Sequence, residues 1–167
     1  MSYKVFLSAI LLITISATSV FAQGKLLSSK KLKKQKVYTN LEEALKTPEK
    51  VYRLDLDGSK QEAVILKSFP NDIYKFTNLQ ELNLSNNEIA EFPVDLTKLV
   101  NLQILDLSFN PIKAIPTDIK EFTNLRVIKF TFCKLDTVPL ELFSISTLEQ
   151  VDLFANHIIR LPEGIKV

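Results

Sequence analysis

Few residues in this chain have the type and the spacing that catalysis requires. Cys133 is the only cysteine and His157 is the only histidine. His157 has no serine, cysteine or second histidine at a matched position of the repeating pattern described below, and a nucleophilic or acid/base centre needs such partners. We therefore predict that the chain is not an enzyme and has no catalytic residues.

The sequence also lacks the spacing of a metal site or a phosphate loop. Asp55-Leu-Asp57-Gly58 is similar to part of a calcium-binding loop, but Leu66 stands where the closing glutamate would be. One cysteine excludes a multi-cysteine zinc site and an intrachain disulfide framework. Three glycines are too few for a loop that cradles phosphate. We predict no metal and no cofactor.

The most regular feature of the sequence is a period of 23 residues. Similar segments begin at Asn78, Asn101, Asn124 and Thr147. Each unit is too short to bury its own apolar face, so neighbouring units must stack on one another. The stretch Leu82-Asn83-Leu84 alternates apolar and polar residues as a strand does. Its recurrence in every unit predicts short strands that pair in a parallel sheet.

Seven apolar positions recur in the units and predict one continuous core. The central position is occupied by Leu82, Leu105, Ile128 and Val151, which we expect to stack as neighbours. Burial of one such side chain is worth about 1.5–3 kcal/mol. Prolines also recur at one position, which forbids strand pairing there and predicts irregular or short helical return segments. They are Pro70, Pro93, Pro116, Pro139 and Pro162.

The pattern Leu-x-x-Leu-x-Leu-x-x-Asn-x-Ile/Leu, followed by a Leu-Pro-like pair, resembles the leucine-rich repeat family. The resemblance covers residues 51–167 as about five units, the last incomplete, and it is cleanest over 79–93 and 102–116. It implies an α/β solenoid with a short parallel β-sheet on the concave side and turns and short helices on the convex side. It also implies an interior ladder bonded to turn backbone, formed by Asn87, Asn110, Cys133 and Asn156. At this position Cys133 is expected to be buried and inert.

The first unit departs from the period. Leu54 and Leu82 lie 28 residues apart rather than 23. The five additional residues fall between Ser59 and Phe69, so we expect a longer turn or loop there.

Residues 1–22 are predicted to be a secretory signal peptide. Lys4 gives a positive start, residues 5–21 are apolar or small without a charge, and Ala22 marks a cleavage boundary. The alternative is an uncleaved membrane anchor, because about 17 residues could just span a bilayer. We expect an exported protein that is secreted, periplasmic or at the cell surface. The short leader and the repeats rich in asparagine and lysine favour a bacterial source.

Residues 23–36 are predicted to form a basic flexible arm. A sharper alternative is contact of residues 25–36 with an anionic surface. We expect no nucleic-acid partner, because no aromatic residues interleave with the lysines and the formal charge is only +2. The lysines are Lys25, Lys30, Lys31, Lys33, Lys34 and Lys36.

Residues 37–50 predict a small N-terminal cap helix that covers the first repeat. Thr39 or Asn40 can accept a hydrogen bond from a free amide at the helix start, and Pro48 stops the helix. No closing cap follows the last repeat in the sequence. Self-association through this uncapped C-terminal repeat is therefore a further expectation.

Strand alternation places the residues between the buried leucines on the concave surface. Exposed aromatics beside charges are typical anchors of protein interfaces. The alternative is that Phe109 and Phe132 only shield backbone in the turns. We predict a non-catalytic module that binds a protein or peptide; the alternative is a cell-envelope adhesive or structural protein that binds glycan or an anionic surface. The residues predicted to bind a partner are Ile104, Asp106, Phe109, Val127, Lys129, Phe132, Gln150, Asp152 and Phe154.

Overall fold

The computed structural model describes residues 11–12 and 26–165 and contains one sheet of short strands. In spatial order the strands run β1-β7-β6-β5-β4-β3-β2, and β2 to β7 are parallel neighbours in chain order. The strands are β1 (Leu11–Leu12), β2 (Val37–Tyr38), β3 (Arg53–Asp55), β4 (Glu81–Asn83), β5 (Ile104–Asp106), β6 (Val127–Lys129) and β7 (Gln150–Asp152).

The 23-residue period of the sequence becomes the register of the sheet. Leu82 pairs with Leu105, which pairs with Ile128, which pairs in turn with Val151. All four side chains are buried, while the residues on either side of each face the opposite surface and are less buried. The predicted parallel sheet and the stacking of this column are confirmed.

The convex side is built from short 3-10 helices. They are Pro48–Lys50, Asn71–Lys75, Val94–Lys98, Thr117–Glu121 and Leu140–Ser144. The last four begin directly after the recurring prolines, which have no amide N–H to donate to a strand ladder. Each presents one fully buried apolar side chain to the core, as the repeat pattern predicts. These side chains are Ile73, Leu96, Ile119 and Leu142.

Each repeat forms one turn of the solenoid, here called a coil. The first coil contacts the second closely at Gly58. Its amide donates to the carbonyl of Ser85 at 3.0 Å. A Cβ atom at this position would stand 1.9 Å from the backbone oxygen of Asn86 and 2.9 Å from Cδ1 of Ile65. Glycine is therefore required here by the close approach of two backbones. The longer loop predicted between Ser59 and Phe69 follows, as turns and irregular backbone.

The segment predicted as a cap contains more than a helix. Strand β2 adds to the open edge of β3, and α2 (Leu41–Leu45) follows it. Asn40 ends the extended chain and its side chain accepts a hydrogen bond from the amide of Glu43 at 2.9 Å. A strand as short as β2 carries little alternation of its own, so the sequence pattern did not indicate it.

The last strand of the sheet is covered, although the C-terminal repeat was predicted to be uncapped. The edge of β7 is paired antiparallel with β1, because the open backbone groups of an edge strand can accept an extended segment. Apart from β1, the predicted signal peptide lies outside the described residues.

Residues 26–36, predicted as part of a flexible arm, include α1 (Ser29–Leu32) and are held on the solenoid by hydrogen bonds. Nowhere in residues 11–12 and 26–165 is there a helix with the length and apolar character needed to cross a bilayer.

Candidate functional site

The sheet brings the predicted partner-binding residues together in rows. The first outward position of β5, β6 and β7 is occupied by Ile104, Val127 and Gln150, which are register partners. The second outward position carries Asp106, Lys129 and Asp152, again as register partners. Except for Gln150, which is exposed, these side chains are half-buried.

Three phenylalanines follow the strands and form a contiguous surface, here named the aromatic row. The rings of Phe109 and Phe132 are stacked, with centroids 5.0 Å apart and planes 12° apart. Phe154 meets Phe132 edge to face at 5.7 Å. The three residues are 46%, 53% and 50% exposed in chain order. The solenoid therefore displays a strip of aromatic surface at the carboxyl ends of β5, β6 and β7.

Two members of the aromatic row have backbone conformations that are costly for phenylalanine. Phe109 and Phe132 have φ of 56° and 52°, in the left-handed region. Asn86 and Ala155 occupy the corresponding positions of the neighbouring coils with φ of 56° and 55°. Left-handed backbone costs an L-residue roughly 1–2 kcal/mol, and asparagine is among the residues that tolerate it best. The phenylalanines thus stand where the fold itself favours asparagine.

The hydrogen bond that links each of these turns to the next does not require an aromatic ring. The amides of Phe109 and Phe132 donate to the carbonyls of Thr131 and Phe154 at 2.7 and 2.9 Å. The amide of Asn86 makes the equivalent bond to Ser108 at 3.0 Å without an aromatic side chain. The turn therefore forms its inter-coil bond whichever of the two residues is present.

The charged residues of the second row already have partners within the fold. Asp106 accepts a bond from the amide of Ser108 at 3.0 Å and lies 3.2 Å from the ammonium of Lys129. Asp152 accepts a bond from the amide of Phe154 at 3.0 Å. Both aspartates are Asx-turn acceptors that shape the end of a strand. Their positions in the sequence predicted exposure and binding but did not indicate this structural role.

The N-terminal half of the concave face is also internally paired. Arg53 donates through Nε and Nη2 to the two carboxylate oxygens of Glu81, at 2.7 and 2.8 Å. The hydrogen bond to Glu81 raises the pKa of Arg53 above its ordinary value. Asn83 donates to Asp55 at 3.0 Å in the next row. The aromatic row differs from these rows in being apolar and about half exposed.

The ladder residues lie inside the turns and bond to backbone as the resemblance implies. In Asn110, Nδ2 donates to the carbonyls of Leu84 and Leu107, and Oδ1 accepts from the amide of Ile89 at 3.0 Å. Asn87 and Asn156 make the same set, accepting from the amides of Leu66 and Leu135. Each asparagine thereby links three segments of the chain.

Cys133 makes fewer hydrogen bonds in the interior ladder than the asparagines do. Its thiol donates to the carbonyl of Leu107 at 3.4 Å, and burial raises the pKa of that thiol. The amide of Ile112 corresponds to those that bond to a ladder Oδ1. We expect Cys133→Asn to supply that acceptor and to raise the free energy of unfolding by about 1 kcal/mol.

Urea unfolding of the two proteins measures this difference, with Cys133→Ser as the control that adds a hydroxyl without the reach of an amide. A fall in stability for Cys133→Asn would mean that this turn is too tight for the larger side chain.

Two sets of structural residues were not predicted from the sequence. Asn78, Asn101 and Asn124 form a second ladder by donating to the backbone carbonyls of Glu49, Thr77 and Val100. Gln80 and Gln103, which directly precede β4 and β5, are buried and hydrogen-bonded to each other at 2.8 Å. Their shared position in the repeat was a usable signal, because a buried polar side chain needs a partner.

Comparisons with known proteins agree with this architecture. A family model described as Leucine Rich repeats (2 copies) matches residues 77–122. The structure of a leucine-rich repeat protein from Leptospira interrogans is 32% identical with a TM-score of 0.61, covering 77% of this chain and 37% of that chain. The plant peptide hormone receptor RGFR1, in complex with RGF2, is 21% identical with a TM-score of 0.55, covering 72% of this chain and 19% of the receptor. Among curated proteins, none matches this sequence.

Proposed function

The chain belongs to the leucine-rich repeat family, and on that premise we propose that it is a non-catalytic module that recognises a protein or peptide through its concave face. The single observation that carries the proposal is the aromatic row, formed by Phe109, Phe132 and Phe154. A receptor of the same fold is in complex with RGF2, which supports a polypeptide as the class of partner.

The aromatic row has the features of an interface anchor. Its rings are large, rigid and about half exposed, so a partner that covers them removes apolar surface from water with little loss of side-chain freedom. The flanking rows of Ile104 and Val127, and of Asp106 and Lys129, supply an apolar border and a paired charge. Such a centre of aromatic residues with a polar rim is the usual composition of a binding hot spot.

Backbone strain at two of the three rings points in the same direction. A residue held in a disfavoured conformation suggests a role in function. Asn86 shows that asparagine satisfies the same turn in this chain. Phenylalanine at positions 109 and 132 therefore carries a backbone cost, and the exposed aromatic surface that it contributes supports a role in binding a partner.

We predict that the double substitution Phe109→Asn and Phe132→Asn separates folding from binding. The free energy of unfolding should change by no more than about 1 kcal/mol, because the relief of left-handed strain offsets the loss of the two ring contacts within the aromatic row. The affinity for the partner should fall at least about 10-fold, because two hot-spot aromatics are each worth roughly 1–2 kcal/mol or more. Partners are first captured with the wild-type chain and identified by mass spectrometry, and dissociation constants are then measured for each variant.

A matched control is available on the convex side. Leu140 is 46% exposed, the same as Phe109, and lies in a 3-10 helix away from the sheet. Leu140→Asn should leave the affinity within about twofold. An unchanged dissociation constant for the double variant, with an intact fold, would reject the aromatic row as the binding surface.

A further inference from the structure

The N-terminal segment is gripped by two glutamine side chains from adjacent coils. Gln80 Oε1 accepts a bond from the amide of Leu27 at 2.9 Å, and Gln103 Nε2 donates to the carbonyl of Leu27 at 3.0 Å. Gln80 and Gln103 are also bonded to each other, and they are 1% and 4% exposed. One backbone residue is thus held at both its donor and its acceptor, as a neighbouring strand would hold it.

Two further coils extend this grip along the segment. Nη1 of Arg126 donates to Oγ of Ser29 at 2.8 Å, and Nη1 of Arg53 donates to the carbonyl of Lys33 at 3.3 Å. Each arginine is itself fixed by two bonds to a glutamate, Glu149 for Arg126 and Glu81 for Arg53. Four successive coils therefore hold residues 27–33, and they use backbone atoms and one serine hydroxyl to do so.

This arrangement leaves four lysines exposed on a fixed support. Leu32 points inward and is 2% exposed. Its neighbours form what is here named the basic ridge, which consists of the exposed residues Lys30, Lys31, Lys33 and Lys34. Within residues 26–165 none of their ammonium groups makes an ion pair, whereas Lys36 pairs with Glu43 at 2.7 Å. The ridge contributes four positive charges to a chain whose formal net charge is +2, so the remaining residues sum to −2.

We propose that the basic ridge is a second binding site, distinct from the concave face, and that its ligand is an anionic phospholipid surface. Each lysine near such a surface strengthens binding about fivefold, and this attraction falls off within a Debye length of about 8 Å at physiological salt. Because the solenoid already fixes the ridge, binding needs little further ordering of the backbone. The opposite net charge of the remaining residues turns the ridge, rather than another face, towards the lipid.

The position of the ridge in the sequence favours a bilayer over other polyanions. Lys30 follows by nine residues the uncharged apolar run of residues 5–21, which is predicted to direct the newly made chain to a membrane. The ridge has no aromatic residues among its lysines, so it lacks the stacking platform of a single-stranded nucleic-acid site.

Vesicle co-sedimentation of the full chain tests the proposal. Vesicles of phosphatidylcholine with about one-third phosphatidylglycerol are compared with pure phosphatidylcholine at about 0.05 M and about 0.5 M salt. We expect binding to the anionic vesicles to exceed binding to neutral vesicles and to be lost at high salt. Replacing Lys30, Lys31, Lys33 and Lys34 with glutamine should lower the anionic partition coefficient roughly 100-fold or more.

Two controls make the result specific. Replacing four exposed lysines elsewhere, Lys67, Lys113, Lys120 and Lys134, removes the same charge and should change the partition coefficient less than about threefold. Gln103→Ala keeps all four ridge lysines but loosens the grip on Leu27, and should weaken binding several-fold. Every variant retains residues 1–22, so any contribution of the apolar run is common to all.

The alternative outcomes overturn the proposal. Equal losses in the two quadruple variants would show attraction to the whole chain rather than to the ridge. Binding to dextran sulfate with none to anionic vesicles would assign the ridge to an anionic polymer instead. Because the aromatic row is untouched, partner affinity measured with the ridge variant stays independent of this result.

Discussion

Asn110→Ala should lower the free energy of unfolding by about 3 kcal/mol, mainly because one buried backbone amide loses its hydrogen-bond acceptor. The carbonyls of Leu84 and Leu107 each keep a second side-chain donor, Asn87 for the first and Cys133 for the second. The amide of Ile89 keeps none, because its acceptor is Oδ1 of Asn110. A buried amide without a partner costs roughly 1–3 kcal/mol, and the cavity left by the amide group adds to this.

Urea unfolding followed by circular dichroism measures the effect. Asn101→Ala is the matched control, because Asn101 also bonds a neighbouring coil, by donating to the carbonyl of Thr77 at 2.8 Å, but lies nearer the surface. It should cost about 1 kcal/mol. Equal losses for the two substitutions would show that the interior ladder is no more important than a surface asparagine.

Gly58→Ala should be of similar severity for a different reason. The added methyl carbon would stand 1.9 Å from the backbone oxygen of Asn86, and no side-chain rotation relieves a clash between a Cβ atom and a backbone. The first coil would have to move away from the second and lose the bond between the Gly58 amide and Ser85. We expect a loss of roughly 3 kcal/mol or more, at the upper end for overpacking.

Hydrogen exchange locates this damage as well as measuring it. Protection should fall in β2 and β3 while β5 and β6 keep theirs, because each coil contacts only its neighbours. Gly164→Ala is the control: Gly164 has φ of 98° and open space around it, so alanine there should cost only about 1 kcal/mol. Wild-type stability for Gly58→Ala would show that the two backbones can separate without cost.

The repeat explains how much of the fold was accessible from the sequence. Leu82, Leu105, Ile128 and Val151 recur at one spacing, and stacking turns equal spacing into strand register without further information. The recurring prolines likewise predicted the convex segments, because a proline has no amide N–H and so cannot pair as a strand residue, whatever its neighbours are. The 23-residue period therefore predicts features that arise within one unit or between identical positions of adjacent units.

Contacts between the repeats and a non-repeating segment cannot be predicted from the 23-residue period. A lysine-rich segment with few large apolar residues is typical of a solvated arm, and nothing in the sequence of residues 26–36 indicates that Gln80 and Gln103 are its partners. For the candidate site, the period aligned Phe109 with Phe132 and strand alternation indicated their exposure. It did not reveal the left-handed backbone, because φ depends on how the turn closes against the next coil.

The bonds that hold the N-terminal segment have a consequence for how the chain is made. Contacts between adjacent coils join residues about one repeat apart, so each coil can form soon after it leaves the ribosome. The bond from Gln103 to Leu27 spans 76 positions and that from Arg126 to Ser29 spans 97. The residues translated first must therefore wait until most of the polypeptide has emerged before they reach their final place.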